Sequence, residues 1–212
     1  MKLYGYFRSS AAYRVRCALA LKNLEVETAF VQLMKGEQYS PEYTRINPQN
    51  LVPVLEDEAT LLYQSLAIMQ YLDERYPDPP LLPADALGRA RVRSLALLIA
   101  CEIHPLNNPR VLNYLTGKFG ISEDQKLEWY HHWVITGFTP LEKRLSTEPG
   151  TGRFCHGDTP GFADCVLVPQ VANARRFKVD LSAFPIICRI DEACRELEPF
   201  HKAAPENQPD AQ

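Results

Sequence analysis

The 212-residue sequence predicts two architectures in series: an α/β unit with a mixed four-stranded sheet, then an all-α helical bundle. Three observations predict this. Strand and helix signals alternate over the first 80 or so residues. Pro77, Pro79, Pro80 and Pro83 then interrupt regular structure, as a linker does. From Asp85 onward apolar residues recur at spacings of three and four. The units are expected at residues 1–80 and 86–212, with the boundary between 77 and 86.

Residues 3–7 read as a first strand, and Val15, Ala18, Leu19 and Lys22 follow at helical spacing behind an N-cap at Ser9 or Ser10. Residues 25–31, rich in β-branched and aromatic side chains, form the second strand. Residues 46–55 are a loop that enters a short third strand, and Asp57-Glu58 marks a hairpin turn into a fourth at 60–63. Residues 65–76 are a helix with Leu66, Met69 and Asp73 along one line of turns. A strand–helix–strand followed by a hairpin and a helix gives a mixed sheet. The bundle helices are expected at 86–115, 122–145, 162–176 and 185–197, with the four glycines of 150–161 separating the two pairs.

With 46% hydrophobic residues the chain has enough apolar material for a sizeable core. A net charge of −3 without a basic stripe argues against nucleic acid as the main partner. No apolar run reaches the length of a membrane span, and the opening Met-Lys-Leu-Tyr-Gly-Tyr lacks the pattern of a signal peptide, so a cytoplasmic protein is expected. The six cysteines contain no C-x-x-C pair and do not cluster with the five histidines, so reduced thiols and no metal site are expected.

The turn into the first helix carries Arg8, Ser9 and Ser10. A helix start leaves backbone N–H groups unpaired at the positive end of its dipole, which suits an anion. The turn contains no cysteine, so a thiolate or carboxylate bound there comes from outside the chain. A Ser-Ser pair by itself reads more simply as a plain cap. Pro53 removes a ladder donor at a sheet edge, and a cis Val52-Pro53 bond would turn the Val52 backbone outward toward an extended peptide. Gln64-Ser65 opens the third helix, where Ser65 can cap it and present N–H groups to a carboxylate.

In the bundle, Pro105 and Pro109 should bend or break the helix around them. His104 and Asn108 share a face at i, i+4 spacing, while Arg110 would point about 200° away from Asn108 in ideal geometry. A lone histidine near a core face is more often structural than functional. Adjacent Arg175 and Arg176 cannot both face inward, so one is solvated while the other is free to reach a cleft. Gly161-Phe162-Ala163-Asp164 reads as a helix start that serves folding.

Together the strand–turn–helix, the Val52-Pro53 loop, the Gln64-Ser65 helix start and the helical second unit resemble the cytosolic glutathione transferases, whose first domain is thioredoxin-like. Arg8-Ser9-Ser10, Arg14-Val15-Arg16 and Ala18-Leu19 resemble the zeta class in particular. So do Val168-Pro169-Gln170-Val171-Ala172-Asn173-Ala174, Arg176-Phe177-Lys178-Val179-Asp180-Leu181 and the tail Gln208-Pro209-Asp210. The resemblance spans essentially the whole chain. It implies glutathione as cofactor, a homodimer, and cis–trans isomerisation of a small dicarboxylate keto-acid with a maleyl double bond. A thiolate adds to the double bond, the resulting single bond turns, and expulsion of the thiolate leaves the fumaryl isomer.

The resemblance also implies roles. Ser9 and Ser10 face the thiol with Ala11 beside them, Val52 pairs with the tripeptide backbone, and Gln64 and Ser65 hold the γ-glutamyl carboxylate. Gln38 lies toward the glycine end, and His104 and Asn108 join the cofactor-binding set. Glu102 reaches the tripeptide amine across a dimer interface. Arg8, Arg110 and Arg176 hold substrate carboxylates, and Ser9, Ser10, Arg8 and Arg176 form the catalytic group. Three positions depart from the class: Ala11 where many members have cysteine, Gly161 where a serine or threonine is usual, and Arg110 where eukaryotic members look uncharged. An extra arginine suits a keto-acid carboxylate close to the maleyl end, so maleylpyruvate is the expected substrate and maleylacetoacetate the alternative.

Thiol ionisation is a small part of such catalysis. Lowering a thiol pKa from about 8.5 to about 6.5 raises the ionised fraction at pH 7 roughly 25-fold. The accompanying loss of nucleophilicity, roughly 6–10-fold, leaves a net gain of about threefold. Rival readings are a transferase that conjugates small electrophilic acids, a thiol oxidoreductase, and a silent binding module. A transferase for electrophilic foreign compounds would favour an apolar acceptor pocket over arginines, and the oxidoreductase needs a cysteine where Ala11 and Ala12 stand.

Overall fold

Four short strands build the sheet of the first unit: β1 (Lys2–Gly5), β2 (Glu27–Phe30), β3 (Val54–Asp57) and β4 (Thr60–Tyr63). Their order is β2-β1-β3-β4, with β1 parallel to β2 and antiparallel to β3, and β3 antiparallel to β4. The mixture follows from the connections. α1 (Ser10–Leu21) carries the chain across to a parallel neighbour, whereas β3 and β4 are joined by a two-residue turn. That turn is Glu58-Ala59, one residue later than the sequence suggests, and both residues have positive φ as a tight hairpin requires.

The computed structural model describes residues 1–211. They form two compact units, Met1–Leu81 together with the chain from Arg195 on, and Leu82–Cys194. In the first, Leu3, Val54 and Leu55 of the sheet are buried, as are Val15, Ala18 and Leu19 of α1 and Ile68, Met69 and Leu72 of α3 (Ser65–Arg75). A short helix beyond those expected, α2 (Pro41–Ile46), is capped by Ser40, whose hydroxyl accepts from the Tyr43 N–H. Lys22 lies on the apolar line of α1 because its buried ammonium is fully paired. It meets Asp73 at 2.8 Å and donates to the carbonyls of Tyr76 and Pro79 at 2.6 and 2.8 Å.

The expected second unit, 86–212, requires correction at its end. The last helix, α9 (Glu198–Ala203), packs on α1, and Arg16 Nε donates to the Ala203 carbonyl at 2.9 Å. The tail therefore belongs with the sheet. The expected single helix over 86–115 is also broken. α4 (Ala86–Leu97) passes into a π-helical turn, Leu98–Ile103, and α5 (Pro109–Phe119) begins only after the two prolines. Pro109 sits at the first turn of α5, where its missing N–H costs nothing.

The remaining helices are α6 (Glu123–Thr147), α7 (Phe162–Arg176) and α8 (Pro185–Arg195). Gly137 of α6 is where the π-turn seats, since a Cβ there would overlap Ile103. At the start of α7 the buried Asp164 carboxylate accepts from the N–H groups of Gly161 (2.8 Å) and Cys155 (2.9 Å). Glycine offers no hydroxyl in return, so this is half a capping box. None of the helices among the described residues is long and apolar enough to cross a membrane.

A charged network fixes the 148–161 loop. Glu148 accepts from Arg91 of α4 at 2.6 Å and from Arg144 of α6 at 2.6 Å, while Arg91 also reaches Thr151 and the Cys155 carbonyl, both at 2.7 Å. Hydrogen bonding to Arg144, with a further contribution from Arg91, holds the Glu148 carboxyl below its ordinary range. A depressed carboxyl contributes stability that is present above its unfolded pKa and lost as pH falls through the folded one. Glu148→Gln should therefore cost about 1–2 kcal/mol at pH 7, the low end for charged hydrogen bonds because the group is part-exposed. Thermal melts should show that deficit shrinking as pH falls below about 4, where wild type also loses the charge.

Candidate active site

Ser9 is the N-cap of α1. Its backbone is extended, its hydroxyl accepts from the Ala12 N–H at 3.2 Å, and its carbonyl accepts from the Tyr13 N–H at 2.8 Å. With the oxygen serving the helix, the hydroxyl proton remains to be donated. Ser10 is the first helical residue and is buried, and Ala11 follows it half-buried. The turn before the cap is closed by the Ser9 N–H to the Tyr6 carbonyl at 3.0 Å. Arg16 braces it from α1, donating to the carbonyls of Phe7 at 3.0 Å and Tyr6 at 3.5 Å. Burial lowers Arg16 to about 10, which leaves it charged at neutral pH. Arg8 projects from this turn, exposed, its guanidinium over the Phe7 ring.

A second group lies at the start of α3. Gln64 has φ 67° and ψ 116°, a conformation that non-glycine residues rarely hold. Its amide donates to Gln49 Oε1 at 3.0 Å, which fixes the side chain just before the helix. Ser65, buried, accepts from Arg14 Nη1 at 3.3 Å. Arg14 and Gln49, to which the sequence assigns no role, also belong to this group. The available signal for Arg14 was its i, i+4 spacing from Ser10, which puts both on one face of α1.

Val52 sits between these groups in sequence, and the Val52–Pro53 peptide is cis. The loop is tied one residue earlier, where the Leu51 carbonyl accepts from Tyr43 and from Asn47, both at 2.7 Å. Among the described residues the Val52 peptide groups have no protein partner. Gln38, in the short turn Glu37–Tyr39, keeps its Oε1 buried without a hydrogen bond.

In the second unit the i, i+4 relation expected for His104 and Asn108 does not hold. Residues 104–108 form turns because Pro105 and Pro109 supply no N–H. Asn108 is instead the N-cap of α5, its Oδ1 accepting from the Arg110 N–H at 3.1 Å. Glu102 and Arg110 are exposed and His104 half-buried. Of the two arginines ending α7, Arg175 is paired with the buried Asp191, while Arg176 is exposed with its guanidinium over the Phe177 ring.

One turn of α6 holds both of these segments. Trp129 Nε1 donates to the Leu106 carbonyl at 2.9 Å, and the Tyr130 carbonyl accepts from Asn107 Nδ2 at 3.2 Å. The Tyr130 ring stacks on Phe177 with centroids 4.0 Å apart, and His131 Nε2 contacts the Phe177 carbonyl at 2.7 Å. A carbonyl only accepts, so the proton on His131 is at Nε2.

A capped helix start with spare donors, a strained residue before Ser65 and exposed arginines suit a small anionic peptide and a carboxylate substrate. The glutathione S-transferase N-terminal domain model matches residues 1–74. A maleylpyruvate isomerase from Ralstonia sp is 49% identical, with 100% of both chains covered. A holo structure of a maleyl pyruvate isomerase, described as a bacterial zeta-class glutathione S-transferase, superposes with a TM-score of 0.98 at 48% identity over 100% of both chains. A maleylacetoacetate isomerase from Methylobacterium extorquens AM1, with bound malonate and GSH, gives 0.97 at 44% identity over 100% of both chains. With its sheet order, its serine-capped turn and these relatives taken together, the chain belongs to the zeta class of the glutathione S-transferase family.

Proposed function

We propose that this chain is a glutathione-dependent cis–trans isomerase that converts maleylpyruvate to fumarylpyruvate, working as a cytoplasmic homodimer. One observation carries the reading. Arg8, Arg110 and Arg176 are exposed and none forms an ion pair with a carboxylate among the described residues, in a chain whose α1 start offers two serines and no thiol. Conjugation of apolar electrophiles gives no use for three unpaired guanidinium groups. A dicarboxylate with a developing negative charge does.

The residues present fit glutathione. Ser9 has a hydroxyl proton to give a sulfur, Val52 has peptide groups without a partner among the described residues, for an extended backbone, and Ser65 with Gln64 opens a helix toward a carboxylate. The buried guanidinium of Arg14 behind Ser65 adds positive charge there. Gln38, with its orphaned Oε1, is assigned to the glycine end, and His104 and Asn108 complete the set. Glu102, exposed on the π-turn, is assigned to the tripeptide amine of the partner subunit. Reduced thiols persist in the cytoplasm, which supports that location.

Bound glutathione supplies the thiolate that adds to the double bond and departs once the bond has turned. Ser9 orients the sulfur through one hydrogen bond, with Ser10 and the Ala11 backbone beside it. Arg8 and Arg176 pair with the substrate carboxylates and steady the charge that develops on the keto oxygen. One preorganised donor of this kind is typically worth about 10²–10³ in rate, against about threefold for thiol ionisation.

A second reading, maleylacetoacetate as substrate, is favoured by the similarity to the Methylobacterium extorquens enzyme. The choice turns on Arg110, which suits a carboxylate near the maleyl end.

Steady-state kinetics test the division of labour: Arg8→Ala or Arg176→Ala should lower kcat by about 10²–10³, and Ser9→Ala by clearly less. The reverse ranking would discard the arginine account. Free glutathione, followed by thiol titration during turnover, should stay constant; its stoichiometric loss would identify a conjugating transferase. Arg110→Ala should reduce kcat/KM for maleylpyruvate about tenfold more than for maleylacetoacetate, roughly one charge-assisted hydrogen bond. Equal losses would remove Arg110 from substrate choice.

A further inference from the structure

The tail motif Gln208-Pro209-Asp210 has no part in the functional reading above, yet it is built with care. Gln208 Nε2 donates to the carbonyls of Lys202 (2.9 Å) and Ala204 (3.0 Å), and Asn207 Nδ2 donates to that of His201 (2.7 Å). These side-chain amides fold the tail back after α9, and Pro209 opens its last short turn, Pro209–Ala211. Asp210 is thereby brought to the far end of the chain, where its Oδ2 accepts from the Phe7 N–H at 3.0 Å. Among the described residues its Oδ1 is buried without a hydrogen bond.

Phe7 immediately precedes Arg8 and Ser9. The ladder between β1 and β2 ends at Gly5–Phe30, so strand pairing leaves the Phe7 peptide unsupported. Its N–H is taken by Asp210 and its carbonyl by Arg16, at 3.0 Å each. Arg16 also grips the Ala203 carbonyl at the end of α9, so tail and turn share one guanidinium. Both backbone polar groups of one residue, in the two peptide units that flank its Cα, are thus fixed from opposite ends of the sequence.

We infer that the C-terminal tail braces the thiol-facing turn, with Asp210 as a positioning residue that holds the Phe7 peptide and so sets the directions of Arg8 and Ser9. The inference rests on the reading of Ser9 as the residue facing glutathione sulfur. Misplacement of such a group by about 1 Å is enough to cost on the order of 10²-fold in rate.

The test compares wild type with Asp210→Ala and Asp210→Asn in the full chain, using calorimetric glutathione titration and amide hydrogen exchange at Phe7. Asp210→Ala should weaken glutathione binding about tenfold, roughly one charge-assisted hydrogen bond, and speed Phe7 exchange. Asp210→Asn, whose amide oxygen still accepts, should stay within about threefold of wild type. Asp210→Ser, which withdraws the acceptor, stands in if the alanine variant does not fold. Wild-type affinity in Asp210→Ala, a lowered melting temperature with unchanged affinity, or an asparagine variant as weak as the alanine one would each overturn the brace alone. Wild type that binds no glutathione would overturn the functional reading and the inference with it.

Discussion

The guanidinium of Arg16 is the tie on which the first unit's candidate site depends. From a fixed place on α1 it donates to Tyr6, Phe7 and Ala203, three carbonyls that no strand or helix ladder would satisfy together. Buried carbonyls need partners, and a single planar fork with several donors meets that need for a turn and a tail at once. Because α1 is packed against the sheet core, the turn carrying Arg8 and Ser9 inherits the position of a rigid helix instead of the freedom of a loop.

The arginines of this chain divide by environment. Arg14 and Arg16 are spent inside the first unit, and Arg91, Arg144 and Arg175 are paired with carboxylates inside the second. Arg8, Arg110 and Arg176 are left exposed. This sorting, more than the number of arginines, leaves three guanidinium groups exposed in a chain whose net charge is −3. Adjacent Arg175 and Arg176 make the point. The first is drawn to buried Asp191 and the second is released by the helix geometry that separates neighbours by about 100°.

The second unit solves a related problem with prolines. Pro105 and Pro109 end one helical path and begin another, which would leave residues 104–108 loose without help. The α6 turn of Trp129, Tyr130 and His131 supplies that help, and it grips the end of α7 as well. The turns before Arg110 and the residue after Arg176 are therefore referenced to one short stretch of one helix. The π-turn before them is locked by the absence of a side chain at Gly137.

Much of this was legible in the residues themselves. Alternation of period gave the mixed sheet and the bundle, the Ser9-Ser10 pair announced the start of α1, and the paired prolines marked the break after the π-turn, because each signal is local and acts within a few residues. Tertiary structure alone decided the rest. The tail joined the first unit instead of the second, since α9 finds its partner on α1. Arg14 and Gln49 entered the site through contacts with residues 51 and 15 positions away, and Phe7 met Asp210 across 203. Spacing in sequence carries no information about such pairs, because a hydrogen bond depends on distance in space and the folded core sets that distance.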